Sequence, residues 1–89
     1  MKSIIDVRAD IAALLAAETL PEAVAQAVET ANARPSPVDA VCLTFNALRV
    51  AAAIDAQATA VLRACAEQIV EGQFWNLASE AQQVLDATA

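Results

Sequence analysis

The sequence predicts an all-α fold: a small helical bundle of about four helices with one long central helix, completed by dimerisation. Three observations predict it. The 89 residues contain one glycine and three prolines, so long stretches carry no helix breaker. Apolar residues recur every three or four positions, and no segment alternates with the period of a strand. Finally, Ser or Thr, often followed by Pro and an acid, stands before each of the first three apolar runs.

The elements follow in order. Ser3 and Asp6 have the spacing of a capping box. Ile4, Val7, Ile11, Leu14 and Leu15 then mark one face of a helix over 4–18. Thr19 and Glu22 repeat the spacing around Pro21. Leu20, Val24, Ala27, Val28 and Ala31 give a second helix over 20–33, which ends because Pro35 restricts the residue before it. Ser36, Pro37 and Asp39 start a third helix. Beyond Phe74, the residues Leu77, Ala78, Ala81, Val84 and Leu85 mark a last helix over 73–87.

The third helix is the unusual one. From Pro37 no glycine or proline occurs before Gly72, so it is expected to run over 37–71, a rod of about 51 Å. Its apolar face does not stay in place. Val41, Phe45, Leu48 and Ala52 line one side. Ile54, Ala58, Val61, Cys65 and Ile69 line a side roughly half a turn away, and Leu43 and Val50 belong with that second side. A rod apolar over most of its circumference needs cover on more than one side. Short flanking helices cannot supply all of it, so a second chain is expected, most simply a two-fold copy. The alanine-rich stretch from Arg49 to Cys65 would be the crossing surface.

Composition narrows the function. Net charge is −6, from eleven acids and five bases. That disfavours nucleic acid and anionic membrane surfaces, both of which are met by Lys and Arg. The most apolar stretch, 38–54, holds Asp39, Asn46 and Arg49, so no membrane span is expected. The start, MKSIID, lacks the apolar run of a secretory signal, and a cytoplasmic location is expected. Two cysteines and no histidine make neither a disulfide scaffold nor a zinc pattern.

No catalytic constellation is visible, so the expected class is non-enzymatic, with no cofactor and no metal. Glu67 and Glu71, one turn apart with Arg63 one turn earlier, read as a solvated face. Cys42 and Cys65 read as small buried hydrophobes. Arg49 and Asp55, close to apolar sides, are candidates for charges that fix register across an interface. Phe74 and Trp75 are candidate anchors for a partner. The expected interface is thus Phe45, Leu48, Arg49, Ile54, Asp55, Ala58, Val61, Cys65, Phe74 and Trp75. The expected function is an interaction module, acting as a homodimer or as an accessory subunit of a complex. Its alternatives are an acidic chaperone or adaptor that holds a partner's amphipathic helix, and a bundle that binds a small molecule.

Overall fold

Local capping sets the starts of two helices. In a computed structural model of the chain, residues 3–72 and 75–88 are described, with backbone alone at 75 and 76. Ser3 is extended and its Oγ accepts from the Asp6 N–H at 3.2 Å, which starts α1 at Ile4–Ala16. Ser36 does the same for the Asp39 N–H at 3.4 Å, and Pro37 opens α3 at Pro37–Ile54. Each cap satisfies a backbone donor that the first helical turn leaves free.

The second start differs from expectation. Thr19 does not cap. Pro21 itself is the cap residue, at φ −52° and ψ 143°, without a side-chain hydrogen bond, and α2 spans Glu22–Asn32. Proline holds Leu20 out of the helical region, so the helix cannot begin earlier.

The long rod is not present. The chain breaks at Asp55 and Ala56, giving α3 and then α4 at Gln57–Gly72, followed by α5 at Trp75–Ala87. The described residues form five helices rather than four. One side chain makes the break. Asp55 is extended, at φ −130° and ψ 115°, and its N–H closes the last turn of α3 on the Ala51 carbonyl at 2.8 Å. Its Oδ1 then accepts from the Gln57 N–H at 2.9 Å, and its carbonyl accepts from the Ala58 N–H at 3.1 Å. Asp55 therefore ends one helix and caps the next.

This turn explains the migrating apolar face. Ala58, Val61, Cys65 and Ile69 of the second side belong to α4, which packs on the first side in α3, while Ile54, Leu43 and Val50 stay exposed on α3. Val41, Phe45 and Leu48 of α3 meet Val61, Cys65 and Ile69 of α4 in one core, joined by Val7 and Ile11 of α1, Val28 of α2 and Ala81 of α5. The principal extents are 31 × 30 × 19 Å, too short for a straight helix over the same residues. α3 and α4 are the spine, α2 leans on α3, α5 leans on α4, and α1 lies across both. Fully buried Ala40, Ala58 and Ala66 let backbones approach closely.

Two arginines tie helix ends together. The Arg8 guanidinium donates to the Asn32 carbonyl at 2.8 Å and the Pro35 carbonyl at 3.5 Å, at the end of α2. Arg63 donates to the Leu85 carbonyl at 3.1 Å and to Thr88 Oγ1 at 2.6 Å, at the end of α5. Both place a cation where helix carbonyls lack partners.

Candidate functional site: the outer face of the third helix

The structure divides the expected interface residues. Phe45, Leu48, Ala58, Val61 and Cys65 are buried by the chain's own helices. Their apolar faces are covered without a second molecule, because the turn at Asp55 brings the covering surface from within the chain. A charge at Ala58 or Val61 would therefore strike the core first. Asp55 has its role in the turn, through the Gln57 N–H. Arg49 also finds partners inside the chain. Its Nη1 lies 3.8 Å from Glu80 Oε2 on α5, and its guanidinium sits 5.5 Å over the Phe45 ring. Both charges of that pair are about half exposed, so the pair adds little stability. Phe74 and the Trp75 side chain lie outside the described residues.

Ile54 remains at the surface, and it is not alone. It is 85% exposed, Val50 is 65% exposed and Leu43 is 41% exposed. At 100° per residue these three fall within about 40° of one another on α3. They face away from Val41, Phe45 and Leu48. Helix α3 is thus apolar inside and apolar outside. The expected list held Ile54 but missed Leu43 and Val50, although the sequence placed all three on one side. The signal was their position opposite the heavier face of Phe45 and Leu48.

The high apolar content of α3 gives it a second property. Its 18 residues, at mean hydropathy 1.4, are long and apolar enough to cross a membrane by length and composition. One third of that window is buried in the bundle. Asp39 and Arg49 are too few charges to take the run below that length and composition, which the core helix of a soluble bundle can also meet.

A second concave feature lies between α1 and α2. These helices stand apart, and the gap is a groove of about 520 Å³. Its walls are Ala12, Leu15, Ala16, Leu20, Ala25, Val28 and Ala33, with Glu18, Glu29 and Asn32 as the polar positions. Asn32 Oδ1 is buried there without a hydrogen-bond partner.

The cysteines are free thiols on different helices. Burial pushes the Cys65 thiol up to about 12, so it stays neutral. Cys42 is also raised, by burial first and then by the Asp39 and Glu80 carboxylates. Neither has the electropositive surroundings of a reactive thiolate. Among the described residues, no three Cys, Asp or Glu side chains gather as a metal site. No family model, no curated protein and no solved structure matches this chain.

Proposed function

We propose that the chain is a small non-enzymatic interaction module that works as a homodimer, or as an accessory subunit of a complex, through the outer face of α3. One observation carries the reading. Leu43, Val50 and Ile54 form an exposed apolar stripe on a helix whose opposite face is already buried. Single exposed apolar residues are ordinary, but aligned ones on a rigid helix are characteristic of contact surfaces. A two-fold axis lets such a stripe meet its own copy.

Light scattering over a hundredfold range of concentration tests this. The expected mass approaches twice 9.2 kDa at the upper end. The Val50→Glu/Ile54→Glu variant should stay at the monomer mass with an unchanged helical spectrum. A wild-type chain that remains monomeric throughout would remove the homodimer.

A second reading has its own support, the groove between α1 and α2. Its volume lies within the range of small-molecule sites, and its wall is mostly apolar with few polar groups. It suits a small apolar ligand, or one turn of a partner's amphipathic helix, that donates a hydrogen bond to Asn32. Saturable binding of an apolar fluorescent dye, lost on Ala16→Trp, would favour this reading. Dye binding unaffected by that substitution would count against it.

A further inference from the structure

The exposed stripe of α3 and the inner face of α4 are in phase with each other. If the chain were straight through Asp55, the residues Leu43, Ala47, Val50, Ile54, Ala58, Val61, Cys65 and Ile69 would follow at steps of three and four. They would form one continuous apolar strip along a helix over 37–72, roughly 54 Å long. In the folded chain Leu43, Val50 and Ile54 of the first half are exposed, Ala47 lies at the edge of the core, and the second half is inside. The division falls at Asp55.

The joint itself favours no sharp turn by composition. It is Asp55 and Ala56 alone, with neither glycine nor proline, set between Ala51–Ala53 and Gln57–Ala60. Alanine and glutamine are good helix formers, and aspartate is tolerated. What holds the turn locally is the Asp55 side chain on the Gln57 N–H. The most exposed large apolar residue, Ile54, sits beside it.

We infer that Asp55–Ala56 is a hinge, and that two copies of this chain exchange α4 and α5 by straightening it into one continuous helix. This rests on the self-association reading and says how the association forms. Every core contact of α4 with α1 and α3 is kept in the exchanged dimer, made now to the partner copy. In addition, two straightened helices pass each other at the hinge. Val50 and Ile54, exposed in the closed chain, are next to that crossing. A second copy thus covers what one copy leaves in water. Short joints under constraint are the usual sites of such exchange.

Two substitutions pull the hinge in opposite directions. Asp55→Ala removes the cap and leaves a helix former, which weakens the turn without touching the core. With about fivefold lost per cap and two caps per dimer, the dimerisation constant should rise by about 25-fold. Ala56→Pro does the reverse. Ala56 lies between the Asp55 cap and the first residue of α4, a place where a proline is accepted, and Asp55 already has the extended backbone that precedes proline. A straight helix would lose a hydrogen bond and clash at that position.

The experiment is size exclusion with light scattering, after refolding each chain from urea at high concentration and then diluting. Dimer should be greatest for Asp55→Ala, intermediate for wild type and absent for Ala56→Pro. Isolated dimer should persist for hours after dilution, since release requires unpacking α4 and α5. Two results would overturn the hinge: an Ala56→Pro chain that dimerises like wild type, or an Asp55→Ala chain with no gain. A dimer that survives Ala56→Pro yet is lost in Val50→Glu/Ile54→Glu leaves side-by-side association standing and removes exchange alone. Should Ala56→Pro fail to fold, by circular dichroism, the gain in Asp55→Ala decides.

Discussion

Helices α3 and α4 have similar lengths and share one core, yet their outer faces differ. Outside, α4 shows Gln57, Glu67 and Glu71 to water, with small alanines between. Outside, α3 shows Leu43, Val50 and Ile54. An amphipathic helix such as α4 is completed by burial on one side. Helix α3, apolar on two opposite faces with Asp39, Asn46 and Arg49 between them, keeps an exposed apolar face after the chain has folded. The inner faces hold the fold together, and the outer face of α3 is the surface proposed for association.

The largest expected effect tests the shared side of this comparison. Leu48→Ala on α3 and Ile69→Ala on α4 each empty a fully buried position. Each should lower stability by about 2–5 kcal/mol in urea denaturation. That is a large part of what a chain this size has, roughly 4–13 kcal/mol at ordinary values per residue. A large loss at one position and a negligible loss at the other would mean that the two faces do not share one core.

A smaller effect separates the two thiols by pH. Cys65 has a folded pKa of about 12 against 9.0 for the free group. The folded state holds its proton more tightly, so the stabilisation is complete below about pH 9. It declines as pH rises toward 12, because only the unfolded thiol ionises. The slope from this one proton is roughly 1.4 kcal/mol per pH unit. Cys65→Ala should flatten the decline measured by thermal unfolding between pH 8.5 and 10.5. If the variant declines as steeply as wild type, Cys65 is not buried as described.

The smallest effect concerns an inner-face defect found on α3. Thr44 is fully buried and its Oγ1 has no hydrogen-bond partner among the described residues. An unsatisfied buried hydroxyl costs about 1–3 kcal/mol, and valine has nearly the same shape. Thr44→Val should therefore raise stability by about 1 kcal/mol or more. A loss instead would place a partner on that hydroxyl.

Much of this was legible from residue types alone. Ser3 and Ser36 announced their helices because a hydroxyl beside a free N–H acts over three residues. The inner stripes of α1, α3 and α4 followed from three- and four-residue spacing. Thr19 was misleading, since Pro21 two residues on fixes the backbone before any hydroxyl can act. The capping role of Asp55 was not legible. Aspartate is compatible with both a helix interior and a cap, and neither neighbour forbids a helix. The shift of the apolar face near residue 54 was the available sign of a turn. It was also compatible with a rod covered on two sides.

The sequence by itself determined that the chain is helical, where three of its helices begin or end, and which side of each carries the apolar residues. These depend on backbone donors, side-chain caps and spacing, all within a few positions. Only the tertiary structure decided that α3 and α4 fold against each other, that Arg49 pairs with Glu80, and that Leu43, Val50 and Ile54 stay outside. Asp55–Ala56 has no glycine or proline to force a turn, and its residue types are compatible with a straight helix as well as a bent one. Within one chain the bent form is the one that buries Phe45, Leu48, Cys65 and Ile69 against one another, since these residues meet inside a single copy only when it has turned.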